Sequence, residues 1–516
     1  MVSSSSNPYV LGTQHKDFKE KSSSLDPATA VVKPHGVGPS PDAVALLKAE
    51  ARKRNSGEPE FLQAVDEVLE DLAPVFKKRP DLVPIMMQLL EPERVIIFRV
   101  PWLDDAGNVQ VNRGYRVQLS SALGPYKGGL RFHPDVNLSV LKFLAFEQVL
   151  KNALTGLPLG AGKGGSDFEP KGKSLAETQR FCQSFMTELF KHIGSHTDVP
   201  AGDIGVGEIE IGYLFGQYKR LKGGLYEGAL TGKPLSLNGS YFRPEATGFG
   251  VVYFARQAIE KTLLSDIQRG AGGGAGEGGG RCAVSGSGNV ALHCGLKLVE
   301  FGASVLTFSD SSGFVVEPKG FTAKQISALR TLKASNKQAR VSAYLKLSAA
   351  SATARFFQGE RPWAYGPFNL AFPCATQNEL DESDAHALVI GGCRGVFEGA
   401  NMPCTAEAVE ELEAEGVLYG PGKACNAGGV AVSCLEMVQN ASLLRWKPEQ
   451  VNQELRTIME GIHYRASRAA EEWGHIKGGS ESGLVEHAGA PLTLKAGANI
   501  AGFLTVAEAM QCLGAV

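Results

Sequence analysis

The chain has 516 residues, 43% of them hydrophobic, and its formal net charge at pH 7 is −2. A length of this order predicts two or three domains with sizeable cores. The near balance of 52 basic and 54 acidic residues gives no electrostatic reason to bind nucleic acid or an anionic membrane. No apolar run approaches the roughly 18 residues that a membrane-spanning helix needs, so no membrane partner is expected.

Cysteine usage and the first residues indicate the compartment. Nine scattered cysteines without a CxxC pair suit a reducing environment better than a disulfide scaffold. Residues 1–40 start Ser-rich, lack the apolar stretch of a secretory signal, and lack the arginines of a typical mitochondrial presequence. We interpret them as a flexible extension and expect a cytoplasmic protein, with organelle import left open.

The first half of the chain predicts helices around an antiparallel hairpin. Residues 42–76 place apolar and charged residues at helical spacing, and residues 94–123 alternate as strands about a turn at 105–108. Apolar residues at steps of three and four predict further helices within 138–157, 175–194 and 243–264.

The second half predicts a parallel, doubly wound sheet. The glycine-rich tract at 269–280 is interpreted as a surface insertion. After it, a strand at 282–286, a helix at 289–301 that Gly302 ends, and a strand at 304–309 form one βαβ unit. Alternating apolar segments follow, and from about residue 431 the chain is predicted helical. The segments are HALVIGG at 386–392, GVFEGA at 395–400 and GVLYGPG at 416–422.

The stretch GSGNVA at 286–291 fits the dinucleotide fingerprint Gly-x-Gly-x-x-Gly/Ala. Gly286 suits the tight turn, Gly288 lets the backbone approach a pyrophosphate, and Ala291 permits close packing of helix on strand. Asp310, at the end of the next strand, favours the ribose 2′-hydroxyl of NAD. The basic residues Lys333, Lys337 and Arg340 favour a 2′-phosphate instead, so the residues alone leave NAD and NADP open.

A second glycine-rich stretch, GAGKGGSDFEP at 160–170, surrounds Lys163 with residues that have no side-chain bulk. It lacks the Gly-Lys-Ser/Thr ending of a phosphate-binding loop. Lys127 and Lys151 occupy similar settings upstream, and Asp203 lies between glycines downstream. In one cleft, these groups would suit a dicarboxylate: cations for two carboxylates, a free amine and an acid.

Eight stretches together resemble the hexameric glutamate dehydrogenases of the Glu/Leu/Phe/Val dehydrogenase superfamily, from about residue 60 to the C-terminus. The N-terminal extension and the glycine tract depart from that pattern. The stretches are residues 126–174, TDVPAGDIGVG at 197–207, RPEATGFG at 243–250, SGSGNVA at 285–291, PCATQNEL at 373–380, EGANMP at 398–403, NAGGVAVS at 426–433 and GANIAGF at 497–503.

The resemblance implies an α/β fold in which two domains flank a cleft. Residues 56–243 would form a substrate-binding and oligomerisation domain with a mixed sheet, and residues 244–430 a Rossmann-like dinucleotide-binding domain. The C-terminal helices, 431–516, would return to the first domain. The resemblance also implies a homohexamer.

The implied reaction is the reversible, NADP-dependent oxidative deamination of L-glutamate to 2-oxoglutarate and ammonium, with NAD as the alternative cofactor and ammonium assimilation as the expected role. Lys163 would be the catalytic lysine and Asp203 the proton-transfer acid. The substrate-binding residues would be Lys127 and Ser433 for the side-chain carboxylate, Lys151, Gln148 and Gly202 for the α-carboxylate end, and Arg243 at the junction with the cofactor. The cofactor-binding residues would be Thr247, Gly286, Ser287, Gly288, Asn289, Val290, Asp310, Ser311, Lys333 and Asn401.

Physical chemistry sets one requirement for this mechanism. Lys163 must act uncharged at some steps, whereas a free lysine has a pKa of about 10.4 and is almost fully charged at neutral pH. We expect burial and the neighbouring cations Lys127 and Lys151 to lower its pKa.

Three other readings compete. A branched-chain or aromatic amino-acid dehydrogenase would lack the pair formed by Lys127 and Ser433. A catalytically inactive sensor of nucleotide or 2-oxoglutarate would not need Lys163 with Asp203. A metal enzyme is suggested by His192 and His196 alone, without the Glu of an HExxH motif, and no metal is expected.

Overall fold

The computed structural model describes residues 42–223, 228–261, 280–336, 339–474 and 493–514, with the side chains of 260 and 261 left aside. The N-terminal extension, Lys337 and the glycine tract up to 279 lie outside these ranges. The fold is α/β, as the sequence predicts. In the described ranges, no helix is both long and apolar enough to cross a membrane.

The first sheet is mixed and has the strand order β1-β2-β4-β3-β5. β1 pairs antiparallel with β2, and β2 with β4, whereas β3 lies parallel to both β4 and β5. The turn that joins β1 to β2 is the predicted one, with Gly107 at a φ of 83°. The strands are β1 (Arg94–Leu103), β2 (Val109–Ser120), β3 (Tyr126–Phe132), β4 (Ala161–Ser166) and β5 (Asp198–Gly202).

The second sheet is parallel, in the order β13-β12-β11-β6-β7. The chain leaves β6 towards β7 on one side and later returns to β11 on the other, so a crevice opens between the ends of β6 and β11. The strands are β6 (Arg281–Val284), β7 (Ser304–Val305), β11 (Leu370–Phe372), β12 (Gly395–Phe397) and β13 (Leu418–Gly420).

The predicted strand at 304–309 is split at Leu306. Its first part is β7 of the parallel sheet, and its second part pairs antiparallel in a separate three-stranded sheet of order β10-β9-β8. The split lets one short segment serve two sheets and places Asp310 at the end of β8. These strands are β8 (Thr307–Asp310), β9 (Gly313–Val316) and β10 (Arg355–Gln358).

The segment HALVIGG, a short apolar run that we predicted as a strand, belongs to a helix up to Ile390. The side chain of Asp381 accepts a hydrogen bond from the Asp384 amide and caps a helix that runs from Glu382 to Ile390. Leu388 and Ala385 are buried on its inner face. The cap and the helical spacing of those two residues therefore decide the conformation of this short apolar run.

Helices flank the sheets and close four hydrophobic cores in the described ranges. The first helices and α15 pack on α4, whereas α13 and α14 pack on α7 beside the parallel sheet. The predicted C-terminal helices thus divide between two cores. The helices are α1 (Ala43–Arg54), α2 (Pro59–Lys78), α3 (Val83–Leu89), α4 (Leu138–Leu154), α5 (Leu175–Leu189), α6 (Glu208–Lys222), α7 (Ala246–Lys261), α8 (Asn289–Glu300), α9 (Ala323–Ser335), α10 (Glu382–Ile390), α11 (Ala406–Ala414), α12 (Gly422–Cys425), α13 (Gly428–Ser442), α14 (Pro448–Trp473) and α15 (Leu494–Leu513).

Candidate functional site

Two cavities contain most of the residues that the sequence singled out. One, of about 790 Å³, is lined by eleven of them. The other, of about 560 Å³, is lined by the glycine turn after β6 and by the end of β8. Residues 374–376, which follow β11, line both, so the cavities adjoin at the crevice of the parallel sheet. The eleven are Lys127, Gln148, Lys151, Lys163, Gly202, Asp203, Arg243, Thr247, Val290, Asn401 and Ser433.

The glycines around Lys163 permit a close approach of backbones in the first sheet. Lys163 lies on β4, which runs beside β3. A Cβ atom on Gly128 would lie 1.7 Å from the Gly162 carbonyl oxygen, and one on Gly129 would lie 2.8 Å from the Asp203 Cβ and 3.3 Å from the Lys163 Nζ. Side chains there would displace the amine or its acid partner, so glycine makes room for both.

Lys163 and Asp203 form a buried pair. The Lys163 Nζ lies 3.1 Å from the Asp203 Oδ2, and Lys163 is only 5% exposed. Arg131 on β3 donates from Nε to the same carboxylate oxygen, also at 3.1 Å. Two cationic groups therefore meet on one oxygen of one acid.

Burial lowers the pKa of Lys163 below its ordinary value, and Asp203 opposes that shift without cancelling it. Arg131 and Arg116 lower it further, and they take the place that we assigned to Lys127 and Lys151. Burial alone would raise the pKa of Asp203, but Lys163 and Arg131 outweigh it and hold that pKa below the ordinary value. The site thus favours an ionised acid beside an amine that gives up its proton readily.

Lys127 and Ser433 meet through a third residue, Thr231. The buried Lys127 Nζ donates to the Thr231 Oγ1 at 2.8 Å, and this hydroxyl lies 3.2 Å from the Ser433 Oγ. Burial, then Arg243 and Arg116, lower the pKa of Lys127 to about 7. An amine and two hydroxyls at one end of the cavity can hold a carboxylate, whose charge would offset the cations around it.

Lys151 lies on α4, one helical turn from Gln148. Its Nζ donates to the Asn401 Oδ1 at 3.1 Å, and burial lowers its pKa to about 8. Gln148 donates to the Asn152 Oδ1 at 2.6 Å. This face of α4 presents an amine and an amide to the cavity.

Two polar atoms in the cavity wall lack a protein partner. They are the Nε of Arg243 and the Oδ1 of Asn426, both buried. A buried donor or acceptor without a partner costs free energy, about 1–3 kcal/mol, unless a ligand satisfies it. Arg243 and Asn426 are therefore candidates for ligand contacts, and sequence reasoning missed Asn426.

The fingerprint residues adopt the geometry that a dinucleotide needs. Gly286 has a φ of 81° and its amide donates to the Ser309 Oγ at 2.8 Å, which makes the turn after β6. Gly288 precedes α8, and a Cβ there would meet nothing within 4 Å. Asn289 donates to the Pro244 carbonyl oxygen, which ties the start of α8 to the segment before α7. The start of α8 is open to an anion.

Asp310 is engaged by its own chain. Its Oδ1 accepts from the amide and hydroxyl of Ser312, and its Oδ2 accepts from the Val341 amide at 2.6 Å. That last bond brings the neighbouring Arg340 to the Ser311 Oγ at 2.6 Å. Lys333 donates to a backbone carbonyl, with its Nζ 4.0 Å from Asp310.

Thr231 and Arg131 also escaped sequence reasoning. Thr231 lies 104 residues from Lys127 in the sequence, and only the fold brings the two together. Arg131 stands within the stretch 126–174, two residues beyond Gly129, and the parallel pairing of β3 with β5 places it near Asp203. His192 and His196 were the residues that suggested a metal. Within the described ranges, no three His, Cys, Asp or Glu side chains are placed to hold a metal ion.

Comparison with known proteins gives two family models that match the chain. The Glutamate/Leucine/Phenylalanine/Valine dehydrogenase model covers residues 238–514, and the Glu/Leu/Phe/Val dehydrogenase, dimerisation domain model covers residues 92–220. The NADP-specific glutamate dehydrogenase of Chlorella sorokiniana is 53% identical over 93% of this chain and 86% of its own length. That of Escherichia coli is 50% identical over 90% of this chain and 97% of its own.

Solved structures give the same result. The crystal structure of Plasmodium falciparum glutamate dehydrogenase superposes with a TM-score of 0.84 at 48% identity, over 92% of this chain and 94% of that one.

Proposed function

The chain belongs to the Glu/Leu/Phe/Val dehydrogenase family, and on that premise we propose that it is an NADP-dependent glutamate dehydrogenase. It interconverts L-glutamate with 2-oxoglutarate and ammonium, an oxidoreductase reaction on a CH–NH2 group. One observation carries the choice within the family: the cluster of Lys127, Thr231 and Ser433 offers a cation and two hydroxyls for a second carboxylate. An aliphatic or aromatic side chain would leave the charge of that buried amine without an opposite charge beside it.

Each side chain of the first cavity then has a defined task. Lys127 and Ser433 hold the side-chain carboxylate of glutamate, and Lys151 with Gln148 holds the α-carboxylate end with help from the backbone of Gly202. Arg243 lies at the junction with the cofactor, where its free Nε can be satisfied. A charged group at each end fixes the substrate so that its α-carbon lies by Lys163 and Asp203.

Lys163 and Asp203 move the protons. In deamination, uncharged Lys163 takes a proton from the water that attacks the imine carbon, and the resulting hydroxyl adds there. Asp203 takes a proton from the substrate ammonium before the hydride leaves the α-carbon and returns it to the nitrogen after water has added. The C–N bond then breaks to release ammonia, and the hydroxyl loses its proton to solvent as the C=O bond of 2-oxoglutarate forms. Burial of the amine, which lowers its pKa, prepares the uncharged form for this step.

The chain fits NADP. The glycine turn and the start of α8 can hold a pyrophosphate through Gly286, Ser287 and Gly288, and Asn289 and Val290 begin that helix. Thr247, Asn401 and the unpartnered Asn426 oxygen would face the nicotinamide end. When bound, the nicotinamide supplies or accepts the hydride.

The end of β8 supports NADP over NAD. Both Asp310 oxygens already accept hydrogen bonds from the chain, so this acid is poorly placed to serve a ribose 2′-hydroxyl. Arg340 is held beside Ser311 instead, and Lys333 lies near, which suits a 2′-phosphate. The relatives from Chlorella sorokiniana and Escherichia coli are named NADP-specific.

The edge strand β1 supports self-association, for which we propose a homohexamer. β1 has a free edge, and one face of the β1–β2 hairpin exposes a row of apolar side chains. An unpaired edge and an exposed apolar face are features of surfaces that bind a second copy of the chain. The dimerisation-domain model covers this hairpin. The exposed residues are Val95, Ile97, Leu103, Val109 and Val111.

The nine cysteines fit a reducing compartment. All nine are free thiols, and eight are buried. We propose the cytoplasm, where thiols stay reduced.

One assay tests the function. The purified chain receives 2-oxoglutarate and ammonium with either NADPH or NADH, and cofactor oxidation is followed by absorbance; 2-oxoisocaproate is the control substrate. We expect NADPH to be preferred, and kcat/KM for 2-oxoglutarate to exceed that for 2-oxoisocaproate by at least about 10³-fold. Preference for 2-oxoisocaproate would identify a branched-chain enzyme, and no oxidation with any pair would indicate a sensor.

A further inference from the structure

Arg131 is a charged residue of the catalytic cavity to which the proposed function gives no task. It lies on β3, is largely buried, and lines the same cavity as Lys163 and Asp203. Its Nε and the Lys163 Nζ both lie 3.1 Å from one atom, the Asp203 Oδ2. The two nitrogens are therefore no more than about 6 Å apart, because they share that contact.

The pair of Lys163 and Asp203 poses a problem that Arg131 can solve. A buried amine beside a single carboxylate tends to keep its proton, because the charged pair is mutually stabilised. The proposed reaction needs the opposite state, in which an uncharged amine stands beside an ionised acid. A guanidinium does not lose its proton in proteins, so it keeps a positive charge beside the carboxylate. That charge offsets the attraction of the carboxylate for the protonated amine, and the amine can then lose its proton.

Two other cationic groups around Lys163 have their contacts elsewhere. Arg116 on β2 forms a buried ion pair with Asp198 on β5. Lys151 on α4 bonds to Asn401, and its neighbour Glu147 pairs with Lys423. Arg131 therefore differs from these groups in having its contact on Asp203 itself. The pKa values agree with the geometry, since Arg131 lowers that of Lys163 and that of Asp203.

We propose that Arg131 is a positioning residue whose permanent positive charge offsets the charge of the Asp203 carboxylate and thereby allows Lys163 to work without its proton. The proposal rests on the proposed function. Both bonds fall on Oδ2, so Arg131 also fixes the carboxylate plane and leaves Oδ1 for the nitrogen of the substrate. Removal of the guanidinium would convert the three-membered cluster into an ordinary ion pair.

The pH profile of L-glutamate oxidation with NADP tests this role. The acid limb of kcat/KM reports loss of the uncharged base, so Arg131→Met and Arg131→Gln should move its midpoint to higher pH. A unit charge about 6 Å away in a partly buried site predicts a move of about one to two pH units. Arg131→Lys keeps the charge and should return the midpoint to within about half a unit of the original.

Controls separate this role from a structural one. NADPH binding by fluorescence and the thermal unfolding midpoint establish that each variant is folded, and the substrate titrates identically in all of them. An unmoved midpoint in a folded neutral variant overturns the proposal, and so does an equal move in Arg131→Lys. Failure of both neutral variants to fold would show a structural role and overturns it too. An inactive unmodified chain would instead overturn the proposed function.

Discussion

Raising the pH above neutrality should weaken the binding of 2-oxoglutarate before it affects turnover. Burial and the guanidinium groups of Arg243 and Arg116 hold the pKa of Lys127 at about 7 in the empty cavity. Because the pKa is lowered, the charged form dominates below pH 7 and is lost as the pH rises through that value. A carboxylate needs the charged form, so binding must recover the proton that the amine has lost.

The magnitude follows from the titration. With a pKa of about 7, roughly half of the amines are charged at pH 7 and roughly a tenth at pH 8, so the KM for 2-oxoglutarate should rise about fivefold. Above pH 8 the KM should rise about tenfold more per unit, and more steeply once Lys151, whose pKa is about 8, also loses its proton.

Initial rates of NADPH oxidation at constant ionic strength measure the effect, extrapolated to saturating NADPH and ammonium. Lys127→Met is the matched control, since it keeps an unbranched stem without the charge. Its KM should be high at neutral pH and flat to about pH 8, while its KM for NADPH should stay near the original. A flat profile in the unmodified chain, or an equal slope in Lys127→Met, would refute the reasoning.

Three further predictions follow from the site and the edge strand. Lys163→Ala should reduce kcat by at least about 10³-fold while NADPH binding, measured by fluorescence, stays within about twofold; retained turnover would contradict its role. Arg340→Ala, which removes the partner of Ser311, should raise the KM for NADPH at least about tenfold and leave that for NADH unchanged. Ile97→Asp combined with Val109→Asp should reduce the molar mass in light scattering, because each places a charge on the exposed apolar face.

The dinucleotide turn could be predicted because its determinants are local. Gly286 must adopt a positive φ, and immediately after Gly288 the apolar residues recur at the spacing of a helix. Lys127 and Lys163 could be identified for a related reason. A strand rich in glycine carries little apolar signal of its own, so a lysine within it calls for an explanation that packing does not supply.

What the sequence did not predict depends on contacts between distant segments. Thr231, which bonds to Lys127, lies 104 residues from it in the sequence, and Arg131 reaches Asp203 through strand pairing. The engagement of Asp310 by Val341 spans 31 residues. The helix that includes HALVI depends on its cap at Asp381 and on burial of Leu388, neither of which the apolar composition of the segment reveals.

The tight contact of β3 with β4 restricts how the substrate range of this chain can be redesigned. No side chain fits at Gly128 or Gly129, because the first would overlap the Gly162 carbonyl and the second would press on Asp203. Substitution of Gly128 or Gly129, which line the cavity beside Lys163, is therefore not a route to a new substrate range. Variation for longer or uncharged amino acids is open at the far end of the cavity, where Thr231 and Ser433 present side chains that can be exchanged.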